Sequence, residues 1–271
     1  MNNPTYILGH SEREISRLKM QARLIEPATR QFMREAGITA GMRVLDVGSG
    51  AGDVALLAAE LVGATGEVVG CDVAAAAVAA ATHNAWQCGS RNVSFRVGDA
   101  AQMEFDGTFD AVVGRYVLLF QADPAAMLRR LARRVRPGGL VLFHEPDWQS
   151  ARSIPPAPTY DRCCGWIRSA FRIARTDGDM AGKLYAIFVA AGLGAPAMRM
   201  QTFIAGSAMS SDFLQALADL VASVVPAMES QGIATASEVG AESLAERLRQ
   251  EVTENASVIM GRSEIGVWAR V

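Results

Sequence analysis

Histidine and cysteine are scarce in this chain, and their placement excludes more than their number does. The three histidines are scattered, and Cys71, Cys88, Cys163 and Cys164 show no metal-ligand spacing, so no metal site is expected. The adjacent pair Cys163-Cys164 makes a poor staple, which leaves free thiols in a reducing cytoplasm as the simple reading. Excess charge is lacking too. A formal net charge of −2 gives no general attraction to phosphate backbones, and nucleic acid is not an expected partner. The chain opens Asn2-Asn3-Pro4 and turns charged at Glu12, without the basic-then-apolar order of a secretory signal. No uninterrupted apolar run reaches the roughly 18 residues of a spanning helix. No internal repeat is found, and the only low-complexity tract is the alanine-rich stretch 74–81. A soluble protein of the cytoplasm without a membrane partner is the expectation.

What is present is apolar and punctuated. With 271 residues and 50% hydrophobic content, the chain can bury one substantial core with an accessory lobe. Short apolar runs alternate with helical patterns, the sign of βαβ units and a mostly parallel sheet. Strands are expected at 43–47, 67–71, 93–97, 109–113 and 140–144. Helices are expected at 54–62, 74–88 and 124–135, with a weaker segment at 100–103. Arg136-Pro137-Gly138-Gly139 reads as a turn ahead of the fifth strand. Upstream, Ser11 and Glu14 form a capping-box pair, and a second short helix is expected from Pro27 to Gly37. Downstream, Ser153–Pro158 is a stiff break, followed by helical patterns at 159–175 and 179–191 and a strand near 198–205. Phe213, Leu214, Leu217, Leu220, Val221 and Val224 repeat at helical spacing, as do Leu244, Leu248 and Val252 behind Ser237 as a cap. Residues 264–270 read as a last strand.

The most informative segment is Val44-Leu-Asp-Val-Gly-Ser-Gly-Ala-Gly52, a buried-strand run ending in alternating glycines and followed by an apolar helix. A glycine turn between strand and helix brings backbone close to a ligand that any Cβ would hold off. The spacing then selects the ligand. A dinucleotide fingerprint wants Gly-x-Gly-x-x-Gly, whereas these glycines fall at 48, 50 and 52, with Asp46 before them and Asp53 after. Asp53 at a helix start would meet a pyrophosphate with like charge. Two carboxylates suit a ligand with a cationic end and no phosphates, which describes S-adenosylmethionine with its ammonium and sulfonium groups. An NAD-dependent oxidoreductase is the weaker alternative, and an architectural turn is another.

In order along the chain, five elements make it resemble the class I S-adenosylmethionine-dependent methyltransferases: Asp46-Val-Gly48-Ser49-Gly50-Ala-Gly52; Asp72 closing the second strand; Gly98-Asp99-Ala100 closing the third; Phe109-Asp110 opening the fourth; and Arg136–Gly139 through Glu145 around the fifth. Tyr6–Glu12 and Arg17–Leu24 are similar to a lid segment of small-molecule methyltransferases, many of them from bacterial secondary metabolism. The resemblance covers about residues 5–146 and the final strands. It implies an α/β fold, a doubly wound, mostly parallel seven-stranded sheet with helical cap insertions. Three regions follow: an N-terminal helical lid at 1–40, a cofactor-binding core at 41–149, and a completion of the sheet at 150–271 with substrate-cap inserts at about 150–176 and 207–255.

Under that resemblance the cofactor is S-adenosylmethionine, and its binding set is Tyr6, Gln21, Asp46, Gly48, Ser49, Gly50, Gly52, Asp72, Val73, Asp99, Ala100 and Arg115. Asp72 would accept from the ribose diol, Asp99 and Ala100 would meet the adenine, and Asp46 would meet the methionine ammonium. Arg115 would take the methionine carboxylate or a substrate acid, with an ion pair to a local carboxylate equally open. Tyr6 and Gln21 would cover the methionine end or simply pack. Where the acceptor must lose a proton, His144 is the candidate base, with His10 and Glu145 behind it; a core histidine bonded to backbone is the other reading of His144. The acceptor is expected to be a small organic molecule, and a homodimer is left open. A methyltransferase fold that keeps its cofactor site for binding or for a rearrangement is the second hypothesis.

Overall fold

The structure, a computed structural model, describes the backbone of residues 12–206 and 209–271, and side chains from residue 23 on, apart from 207 and 208. Tyr6, His10 and Ser11 therefore lie outside the described residues, as do the side chains of Glu14 and Gln21. The described residues form two compact units: a sheet unit, Pro27–Glu145 with Met180–Arg199 and Ile265–Val271, and an insert unit, Pro146–Asp179 with Met200–Glu264 and the described residues up to Glu26.

In the sheet unit, β1 (Arg43–Val47), β2 (Glu67–Asp72), β3 (Val93–Val97), β4 (Phe109–Arg115) and the first part of β5 (Val135–Asp147) run parallel in the order β3-β2-β1-β4-β5. The order reverses between β1 and β4, the switch point of a doubly wound sheet, where ligands bind beyond the carboxyl ends of the strands. Strand alternation supplies both faces. Val44, Val68, Ala111, Leu140 and Leu142 pack with Phe32 and Met33 of α1 (Glu12–Ala36) and with α2 (Asp53–Val62). Leu45, Val69, Val112, Val141 and Phe143 face the other way, onto Leu128 and Leu131 of α4 (Pro124–Ala132) and Leu184 and Phe188 of α6 (Ala181–Ala190). Between β2 and β3 lies α3 (Ala75–Gln87).

The insert unit has its own apolar core. Helices α5 (Pro158–Ile173), α7 (Ser211–Ser230), α8 (Ala236–Val239) and α9 (Leu244–Glu254) bury Cys163, Ile167, Leu217, Val224, Leu248 and Val252, among others. Tyr160, fully buried, donates its hydroxyl to the Met260 carbonyl at 2.7 Å. Strand β6 (Arg152–Ile154) pairs antiparallel with β8 (Val258–Arg270), and β7 (Ala197–Ala205) also pairs with β8; β5, β7 and β8 belong partly to each unit.

The differences from the sequence expectation have local causes. Among the described residues the sheet has eight strands, because Arg152–Ile154, at the expected stiff break, pairs with β8. One helix, α1, runs through Pro27 where two were expected. The lost amide costs about 3 kcal/mol, and burial of Ala28, Phe32, Met33 and Ala36 offsets it. Residues 100–103 form a turn, not a helix. Arg136–Gly139 lies inside β5, where Phe109 pairs with Val135 but Ala111 with Leu140, so the extra residues are absorbed as a bulge. The cap in the last insert is Thr235, which makes a capping box with Glu238 and starts a separate short helix. One helix, Ser211–Ser230, is long and apolar enough to cross a membrane by length and composition, although no run in the sequence stood out as such; Leu214, Leu217, Val221, Val224 and Met228 along it are buried in the insert core.

Candidate functional site

The turn after β1 is built by glycines in the left-handed region: Gly48 at φ 65°, Gly50 at 51° and Gly52 at 93°. A Cβ on Gly48 would meet Val117 at 2.9 Å and one on Gly52 would meet Phe95 at 2.9 Å, whereas one on Gly50 would meet nothing within 4 Å. Gly48 and Gly52 are thus required by packing, and Gly50 faces open space. The amides of this turn are turned inward. Ser49 N–H donates to the Cys71 carbonyl (3.0 Å), Gly52 N–H to the Ser49 carbonyl (2.8 Å) and Gly50 N–H to Asp72 Oδ2 (2.9 Å). Asp72 Oδ1 accepts from Ala74 N–H at 2.9 Å, so one carboxylate ties the glycine turn to the start of α3. Each oxygen of Asp72 keeps a second lone pair for a ligand hydroxyl. Beside it the apolar side chain of Val73 is 74% exposed.

Asp46 sits one residue before the end of β1, in register with Gly70 of β2 and Val113 of β4, at the switch point. It is 1% exposed, and neither carboxylate oxygen makes a well-formed hydrogen bond; the Ser49 hydroxyl is likewise buried without one. Burial pushes the Asp46 carboxyl up to about 8; the Arg115 charge and the nearby Ala55 amide oppose that shift, and Asp72 and Asp53 add to it. A buried carboxyl without well-formed hydrogen bonds is costly unless something supplies them. Arg115, at the end of β4, lies 3.9 Å from Asp53 Oδ2 and donates to Thr29 Oγ1 at 3.2 Å.

His144 is fully buried on β5, in register with Arg115. Its ring meets Phe32 and Tyr116 edge-on, at 5.0 and 5.6 Å between centroids, and its Nδ1 lies 3.0 Å from Thr29 Oγ1. Thr29 Oγ1 thus stands between the Arg115 guanidinium and the His144 ring. Thr29 carried no sequence signal; a threonine in an amphipathic helix is ordinary. Glu145 is also fully buried, and its carboxylate accepts from three consecutive amides: Val117 (3.0 Å) and Leu118 (2.7 Å) on Oε1, and Leu119 (3.3 Å) on Oε2. It caps the 3-10 turn Leu118–Phe120. Asp99 accepts from Ala101 N–H and from Gln102 Nε2, and Ala100 beside it is buried. The structure therefore brings Asp46, Ser49, Asp72 and Arg115 around the glycine turn, with His144 joined to Arg115 through Thr29. Among the described residues, no group of three or more His, Cys, Asp and Glu is placed to hold a metal.

These residues fit a ligand with a positive end and no phosphate, by the buried Asp46 and the inward-turned amides. A methyltransferase-domain family profile matches residues 38–187, more than half of the chain, and the chain belongs to that family. That family weighs against the oxidoreductase alternative. The arsenite methyltransferase of Aquipseudomonas alcaligenes is 40% identical over 113 residues, 39% of this chain and 33% of that protein. The aklanonic acid methyltransferase of Streptomyces sp. strain C5 is 35% identical over 133 residues, 48% of this chain and 60% of that protein. The matched stretch thus spans one-third to three-fifths of the length of these relatives. A putative methyltransferase of Bacillus halodurans C-125 shares the fold, with a TM-score of 0.58 at 20% identity over 89% of this chain and 97% of that one.

Proposed function

We propose that this chain transfers a methyl group to an oxygen, or a nitrogen, of a small organic metabolite, in bacterial secondary metabolism and in the cytoplasm. The observation that carries the reading is Asp46: a buried carboxyl with no well-formed hydrogen bond beside the glycine turn. When bound, S-adenosylmethionine supplies a methyl group activated on a positively charged sulfur. Asp46 would receive its ammonium group, Asp72 its ribose diol and Arg115 its carboxylate, while Val73 offers an apolar wall to the adenine and Asp99 an acceptor to its amino group. The aklanonic acid relative supports an organic acceptor. A thiophilic metalloid acceptor is disfavoured by the cysteines. Burial pushes the thiols of Cys71, Cys163 and Cys164 up to about 11, 12 and 12, and Cys88 is exposed just beyond the end of α3. None of the three buried thiols offers a thiolate at neutral pH.

Displacement at an activated methyl needs the acceptor atom aligned at about 3–3.5 Å more than it needs a strong base. His144 enters as the residue that orients Thr29 and Arg115, since it is fully buried with its Nδ1 against Thr29 Oγ1. His144→Ala is expected to lower the melting temperature while changing kcat less than about tenfold. A loss of about 10²–10⁴-fold in kcat with unchanged cofactor affinity would make it the base instead.

Calorimetry with S-adenosylmethionine, S-adenosylhomocysteine and NAD tests the function directly. Binding of both sulfur ligands without NAD is expected, followed by methyl-donor consumption with the right acceptor. Asp72→Ala should weaken the sulfur ligands by about 1.5–3 kcal/mol, the range for hydrogen bonds to charged groups. Unchanged affinity would remove Asp72 from the site, and no binding by the parent chain would overturn the reading.

A further inference from the structure

The insert unit holds a second group of polar side chains, apart from those around the glycine turn. After α5 the chain turns through Arg175, at φ 57°, into Thr176-Asp177-Gly178-Asp179, and this loop returns to the end of β5 through an antiparallel bridge between Asp179 and Asp147. Trp148 N–H donates to the Gly178 carbonyl at 3.0 Å, and Thr176 N–H to the Phe171 carbonyl at 2.9 Å. A Cβ on Gly178 would meet Phe171 at 2.9 Å and Trp148 at 3.5 Å, so the loop lies directly against this aromatic pair, whose rings meet edge-to-face at 6.5 Å. Within the loop, Asp177 Oδ1 accepts from Asp179 N–H, and Asp147 Oδ1 accepts from Gln149 N–H.

Two atoms of this compact loop are buried and have no hydrogen-bond partner: the hydroxyl of Thr176, a residue only 4% exposed, and Oδ1 of Asp179. Native chains pair the large majority of such groups. Here two lie three residues apart on one loop, opposite a third acid. The Arg262 guanidinium lies over the Trp148 ring at 5.3 Å and pairs with Glu264 at 3.0 Å.

We propose that the Thr176–Asp179 loop, with Asp147 facing it, is a recognition site for a hydrogen-bond-donating group, a hydroxyl or an amine, on the acceptor molecule. A carboxylate oxygen can only accept, so the ligand must bring an O–H or N–H. The Thr176 hydroxyl then accepts or donates at the same group, and Trp148 and Phe171 form the apolar side. The inference rests on the methyl-transfer reading for what the ligand is, and the test separates the two.

The probes are 1-naphthol, 1-naphthylmethylamine and naphthalene, titrated by calorimetry into the full chain with and without S-adenosylhomocysteine. One donor-bearing probe should bind about tenfold or more tighter than naphthalene, a loss of about 1.4 kcal/mol for the missing donor. Preference for the naphthol assigns a hydroxyl, and preference for the amine, weakening with salt, assigns a cation. The preference should disappear in Thr176→Val and in Asp179→Ala. Thr176→Val should keep or raise the melting temperature, because it removes a buried hydroxyl that has no partner. Equal or absent binding of the three probes to the parent chain overturns the proposal, as does an unchanged preference in both variants. A marked fall in melting temperature for Thr176→Val also overturns it, since the hydroxyl would then have a structural partner. Failure of S-adenosylhomocysteine to bind would overturn the methyl-transfer reading while leaving the probe preferences to judge the loop.

Discussion

Asp46→Asn is expected to stabilise the ligand-free chain above neutral pH and to cripple cofactor binding. The folded-state carboxyl titrates near 8 where an ordinary aspartate titrates near 3.8. Between those values the folded chain holds a proton that the unfolded chain has lost, so the stability contributed by this group is complete below about pH 4 and is lost progressively as pH rises through 8. At about 1.4 kcal/mol per pH unit, roughly 4 kcal/mol is gone by pH 7. Asparagine has no charge to desolvate, so the variant should gain on the parent from pH 5 to pH 9, read as a widening difference in melting temperature. A variant less stable at every pH would show that Asp46 serves the fold as a cap. Cofactor affinity should fall at least about tenfold, the lower end for a hydrogen bond to a charged group. In the parent chain affinity should increase toward pH 8, because a bound cation must displace the Asp46 proton.

Glu145→Ala should be the most destabilising substitution in the site. It leaves the amides of Val117, Leu118 and Leu119 without their acceptor in a fully buried setting. Buried donors left unpaired cost about 1–3 kcal/mol each, and partial relaxation brings the sum to about 3–5 kcal/mol. Denaturant unfolding should show a lower midpoint at unchanged slope. Glu145→Gln, which keeps one acceptor oxygen, should fall between the two. A Glu145→Ala variant of parental stability and no turnover would place this carboxylate at the reaction instead.

The sheet was legible because its signals are local. Short runs such as Val44–Val47 and Val93–Val97 each end at a glycine, and the spacing of Asp46, Gly48, Gly50, Gly52 and Asp72 depends on one turn of known geometry. What was not legible depends on partners far along the chain. Arg152–Ile154 becomes a strand only because β8, about a hundred residues later, offers it an edge. Pro27 breaks helices in isolation, and only the buried stripe of Ala28, Phe32 and Met33 carries α1 through it. The same holds inside the site. His144 and Glu145 stood out by residue type and position, but their engagements with Thr29 and with three amides are tertiary, as are the unpaired atoms of Thr176 and Asp179.

The inward-turned amides of the glycine turn also bear on what the chain ignores. The three turn amides held by Cys71, Ser49 and Asp72 are withheld from an anion, and Asp53 beside them repels one. Cells hold adenosine phosphates in large excess over most other adenosine compounds, and all of them share the adenine and ribose that Asp99 and Asp72 would read. Discrimination against that crowd then needs no dedicated gate. It follows from withholding hydrogen-bond donors where a phosphate would want them, so that selectivity is written into the backbone and should survive any single side-chain change that leaves the turn closed.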